Sequence, residues 1–153
     1  MDQISLAISV ISLLMSVLAL IIAVWHNLKS YTPIITILHN RSNINGEISV
    51  VLQNKGIGPA TITRIEFLLD GKSIGNDLNK IVNILESKGA EFSFFFQERD
   101  LGSVLSAGES FTPMRLVFKD KKLPDDAVNL FDRLSTRIWY KSLYGLEYRR
   151  RTR

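Results

Sequence analysis

Between Ile4 and Val24 the chain has no charged residue. Wound as a helix, about 21 residues span roughly 31 Å at about 1.5 Å each, close to the ~30 Å hydrocarbon thickness of a bilayer. A helix buried in a soluble core rarely runs so far without a polar face. The segment therefore reads as a transmembrane anchor over residues 1–26. A cleaved signal peptide needs a positively charged start, a shorter apolar run and a small-x-small cleavage site. Met1-Asp2-Gln3 supplies no positive charge, and Ala23-Val24-Trp25-His26 is a poor cleavage site. Trp25 suits the headgroup level, where amphipathic rings collect. The expectation is an uncleaved single-pass anchor. No Lys or Arg precedes it, whereas Lys29 and Arg41 follow, so the positive-inside rule puts the C-terminal part in the cytoplasm.

Serines interrupt the apolar run at regular intervals. Ser5, Ser9, Ser12, Ser16, Ala19 and Ala23 are spaced alternately four and three apart, a heptad seam. Small residues let helix backbones approach closely in lipid, and hydroxyls can bond across to a neighbour. A 3.5-residue repeat suits left-handed crossings of about +20°. Against this stands plain tolerance, because a serine hydroxyl can bond back to the carbonyl one turn earlier. Regular register favours a packing seam, whose partner is either a second copy or another membrane protein.

The rest of the 153 residues suffices for one modest domain. A linker over 27–32 leads to Pro33, and from there the pattern is that of strands. Ile35 and Ile37 alternate with Thr36 and Leu38, and Asn43-Ile44-Asn45-Gly46 ends in a strong hairpin signal. Ile48, Val50 and Leu52 share one face of the next strand. In the strand from Ala60 to Leu69 the apolar set changes parity, from Ala60 and Ile62 to Ile65, Phe67 and Leu69. One face cannot bury both sets unless a residue is inserted, which predicts a β-bulge near Thr63-Arg64. Asp70-Gly71 is a turn. Asn76 to Ser87 has helical spacing, with Lys88-Gly89 as a stop. Further strands follow at 90–97 (Phe92, Phe94 and Phe96 on one face) and at 111–118, entered through Ser106-Ala107-Gly108-Glu109. A helical turn is expected at 124–130. A closing hairpin turns at Tyr144-Gly145. About seven strands broken by Gly, Asn and Asp turns argue a mainly β fold: an immunoglobulin-like antiparallel β-sandwich over 33–148, with one or two short helices and a basic tail at 149–153.

Val50 to Ile74, "VVLQNKGIGPATITRIEFLLDGKSI", resembles the N-x-G-x-G-P-A stretch of immunoglobulin-like bacterial domains, the CARDB family among them. Ile138 to Tyr148, "IWYKSLYGLEY", resembles the last hairpin of small bacterial membrane-anchored proteins of unknown function. The resemblance implies a bacterial cell-membrane location and an immunoglobulin-like domain. It brings no catalytic residues.

Residue chemistry points away from catalysis. Gly56-x-Gly58-Pro59 lacks the third glycine and the following helix of a dinucleotide loop. It reads as structure: with Asn54 it forms a turn in which Gly56 or Gly58 takes a positive φ and Pro59 stiffens the exit. The only histidines are His26 and His39, too few for a zinc site, and the absence of cysteine excludes disulfides and Cys-based zinc. No cofactor is expected. Arg149, Arg150, Arg151 and Arg153 form the densest charge, read as a lipid-facing tail attracted to anionic headgroups by about 1 kcal/mol per basic residue. Specific nucleic-acid binding is not expected, because no basic stripe with interleaved aromatics is visible. The reading is a noncatalytic membrane-anchored interaction module that self-associates or pairs with another membrane protein. Two alternatives stand beside it: an effector whose oligomerised anchor perturbs the bilayer, and an enzyme with an unrecognised site.

Overall fold

The computed structural model describes residues 2–75, 79–87, 91–97 and 102–152. Helix α1, Gln3–Ser30, is followed by strands β1 (Ile35–Ser42), β2 (Glu47–Asn54), β3 (Ala60–Leu69) and β4 (Lys72–Gly75). Then come α2 (Asn79–Ser87), β5 (Phe92–Phe96), β6 (Val104–Leu105), β7 (Ser110–Phe118), α3 (Asp125–Asp132), β8 (Leu134–Ser142) and β9 (Glu147–Arg151). The first residues of the expected 76–87 helix and its Lys88-Gly89 stop lie outside the described residues, as do Ala90 and Arg153.

α1 is long and apolar enough to cross a membrane, with a mean hydropathy of 2.8 over its best window. It extends past the expected anchor boundary. Asn27 to Ser30, read as linker from sequence, is helical, and only Tyr31 to Ile34 connects it to β1. Helical bonding simply continues, since nothing before Pro33 removes a backbone donor. No residue of α1 is buried.

The strands form two antiparallel sheets, ordered β1-β2-β7-β5 and β4-β3-β8-β9, with β6 beside β3. Lettered along the chain this is A-B-E-D facing C′-C-F-G, the strand order of an immunoglobulin-type sandwich. The expected bulge is present: Ile62 pairs with Tyr140 and Arg64 with Trp139, leaving Thr63 as the extra residue. It lets Ala60, Ile62 and Phe67 all turn inward, each 3% exposed or less. At the Asp70-Gly71 turn both residues have positive φ, 51° and 76°, the conformation that a two-residue hairpin requires. β4 and β6 are additions to the seven expected strands. They pair with opposite ends of one edge of β3 and are too short to show a period of their own.

The interior has two parts. At one end α2 and α3 close the sandwich, Ile81, Leu85, Leu130 and Phe131 packing with Ile48, Phe67 and Met114. At the other end, where β1 begins, Ile35, Leu52, Ile62, Leu105, Ile138 and Tyr140 form the second cluster. Asp125 and Asp126 in the first turn of α3 complement its dipole.

Candidate functional site

Three features are built from the residues singled out above: the junction between α1 and the sandwich, the small-residue stripe, and the arginine-rich closing strand.

The junction centres on Asn54, which is fully buried. Its side-chain amide donates to the carbonyls of Gly58 (2.8 Å) and Leu105 (3.0 Å). Its Oδ1 accepts from the backbone N–H of Gly56 (3.0 Å) and of Ile34 (3.2 Å). Only this amide orientation matches two donors to two acceptors. The Asn54 backbone adds bonds to Glu109 and Gly108. One side chain thus joins the linker after α1, the G-x-G loop and β6. Lys55 N–H donates to the Ile34 carbonyl at 2.8 Å and closes the linker onto the loop.

The two glycines serve a different purpose from the one expected. Neither Gly56 nor Gly58 has a positive φ. Instead the linker backbone lies directly against them. A Cβ on Gly58 would stand 1.8 Å from the Tyr31 carbonyl oxygen, and one on Gly56 would stand 2.4 Å from the Ile34 nitrogen. The requirement is close backbone approach, not conformational freedom. Buried Pro33 and half-buried Pro59 flank the contact.

In α1, at about 100° per residue, Ser5, Ser9, Ser12, Ser16, Ala19 and Ala23 fall within an arc of about 80°. The hydroxyls of Ser5, Ser9 and Ser16 each donate to a backbone carbonyl three or four residues earlier, all at 2.9 Å. Those donors are used inside the helix. Any benefit of the stripe to association therefore comes mainly from small size. Trp25 carries the Lys29 ammonium 3.9 Å from its ring centre.

The arginines do not form a tail. Arg149, Arg150 and Arg151 lie in β9, paired with Trp139, Ile138 and Arg137 of β8. Strand alternation puts Arg149 and Arg151 on the outer face of the second sheet and Arg150 on the other. Around the Trp139 ring, Arg64 stands at 4.9 Å, Arg149 at 5.3 Å and Arg137 at 5.7 Å, all within cation–π reach. Glu66, 6% exposed, anchors this face. It accepts from Ser73 Oγ at 2.6 Å and Arg137 at 3.1 Å, with Arg64 at 3.4 Å. The Ser73 hydrogen bond foremost, then the Arg64 and Arg137 charges, hold the Glu66 carboxyl below its ordinary range in spite of burial. The result is a basic face with an aromatic centre. Sequence alone concealed it because Arg64, Arg137 and Arg149 are far apart in the chain.

His39 sits half-buried against Phe131, with Nε2 3.2 Å from the Thr136 hydroxyl. Burial, then the Arg41 charge, lowers its pKa and favours the neutral ring. Thr136 is fully buried, so this pair presents no accessible nucleophile. Among the described residues no group of three or more His, Cys, Asp or Glu could hold a metal ion. No protein-family model matches the chain, and no significant match occurs among curated proteins or solved structures.

Gly58→Ala, though no positive φ bars a side chain there, should destabilise the protein by about 1–3 kcal/mol through overpacking. Hydrogen exchange should rise at Tyr31–Ile34. Unchanged exchange there would remove the close-approach explanation. Glu66 has a depressed pKa, so its contribution is present above the ordinary carboxylate range and is lost as pH falls through its lower folded value. Glu66→Gln should therefore melt lower than the parent at pH 7, and the gap should narrow between about pH 5 and 2. Parallel melting profiles would contradict this.

Proposed function

We propose that this protein is a noncatalytic interaction module held in a bacterial cell membrane by α1. What carries the reading is the isolation of that helix. None of its 28 residues is buried, and only Leu28 and Ser30 at its C-terminal end are partly covered, while the sandwich has a complete two-part core without it. Exposed to water, such a helix would be a far larger apolar patch than soluble monomers carry. In lipid it needs no cover. The likeness of residues 50–74 to CARDB-like domains fits the same reading.

α1 is the single-pass anchor, and its Ser/Ala stripe meets either a second copy or another membrane protein. The sandwich supplies the partner-binding surface. Its outer Arg64–Trp139–Arg149 face suits an acidic protein, since planar guanidiniums bind carboxylates bidentately and stack on aromatic rings. The same exposed helix also supports the effector reading, in which self-association itself disturbs the bilayer. Growth arrest on overexpression that depends on the stripe would favour that alternative.

Ser9→Leu combined with Ser12→Leu tests the seam. The added bulk should block close approach, so energy transfer between labelled full-length copies, or crosslinking to a membrane partner, should fall. Insertion should persist because leucine is at least as apolar. Full association by the double variant in both assays would end the seam reading. Orientation rests on Lys29 following the span with no basic residue before it. A C-terminal alkaline phosphatase fusion should accordingly be inactive, and an active fusion would reverse the topology.

A further inference from the structure

Apolar side chains crowd the end of the sandwich from which α1 departs. Ile57 is 73% exposed, Leu143 66%, Leu146 51%, Val104 49% and Tyr144 42%. They come from three separate segments: the β2–β3 loop, β6 and the β8–β9 hairpin loop. Sheet register brings those segments together: Ile35 at the start of β1 pairs with Asn54, and Ala60 pairs with both Ser142 and Leu105. The tip of the β8–β9 hairpin, Leu143-Tyr144-Gly145-Leu146, has no charged residue, and Ile57 stands between Gly56 and Gly58. Turns exposed to water normally favour polar residues, Gly and Pro. The β1–β2 turn at the opposite end has a single exposed apolar residue, Ile44, among Asn43, Asn45 and Gly46.

We propose that this loop rim docks into the headgroup layer of the same bilayer that α1 crosses. The inference rests on the reading of α1 as a membrane span. Length and tethering select the occupant. The 28 residues of α1 extend about 42 Å, matching the ~40–45 Å of a bilayer with its headgroups. Ser30 therefore ends at the bilayer surface. Tyr31 to Pro33 can reach about 10 Å at most, and the linker cannot swing free. Its Tyr31 carbonyl lies against Gly58, and Ile34 is bonded to Asn54 and Lys55. The rim is thus held within a few residues of the lipid surface. Leu and Ile side chains favour the acyl boundary, and a tyrosine favours the interface. Lys29 and Lys55 add positive charge for anionic headgroups.

The chain has no cysteine, which permits single-site labelling of the full-length protein. Ile57→Cys, Leu143→Cys, Ile44→Cys and Leu14→Cys variants would each carry an environment-sensitive fluorophore. They would be reconstituted in vesicles of mixed zwitterionic and anionic phospholipid, with quenchers placed shallow or deep on the acyl chains. Docking should give blue-shifted emission and loss of intensity with the shallow quencher at 57 and 143. Ile44 should stay water-like, and Leu14 should respond to the deep quencher. Water-like signals at 57 and 143 with Leu14 quenched would overturn docking and leave the anchor standing. Blue-shifted emission at 57 and 143 without lipid quenching would mean that protein covers the rim, which also overturns it. A label at Leu14 that no lipid quencher reaches would remove the anchor reading, and docking with it.

Discussion

Four hydrogen bonds from one buried amide hold the junction on which the rest of this molecule depends. Asn54 satisfies two carbonyls and two backbone N–H groups from the linker, the G-x-G loop and β6. Each of those groups, if left unpaired in the interior, would cost about 1–3 kcal/mol. No aliphatic residue could replace it. Aspartate would point a charged oxygen at two carbonyls. Around this centre the linker presses on glycine backbone at Gly56 and Gly58, so that α1 and the sandwich are joined by a stiff corner and not by a flexible leash. A stiff corner transmits position: whatever surface α1 sits in, the loop rim is presented to it.

A second constraint governs the outer face of the β4-β3-β8-β9 sheet. Like charges on neighbouring strands repel, yet Arg64, Arg137 and Arg149 converge on one ring. Trp139 offers its negative π faces, and Glu66 supplies a carboxylate fixed by Ser73. The arrangement keeps several guanidiniums in defined positions on a rigid sheet. A disordered tail with the same residues would bind anions only loosely, because ordering it costs entropy at the moment of binding. Incorporation of Arg149 to Arg151 into β9 thus changes the meaning of the densest charge in the chain.

Much of the sandwich could be read from local pattern. The parity change between Ile62 and Ile65 located the bulge, because side-chain alternation leaves no other way to bury both sets. Asn45-Gly46 and Asp70-Gly71 marked hairpins through the backbone conformations that they accept. Where signals were short or depended on partners, the pattern was silent. β4 and β6 exist only because the edge of β3 offers unpaired backbone groups. β9 extends through Arg151 because β8 supplies a ladder for it, in spite of residues with little strand preference of their own.

The sequence by itself determined that α1 would be a long apolar helix and that alternating strands would build an antiparallel sandwich. Both properties follow from periodicity and from the absence of charge, which are local. Tertiary structure alone decided why two glycines follow Asn54, what the closing arginines are and which loops share an end with α1. Each of those depends on backbone or side chains brought together from distant parts of the chain. Gly58 meets Tyr31, Arg64 and Arg149 each meet Trp139, and Ile57 comes to the same rim as Leu143, through strand pairing that no short window of sequence contains.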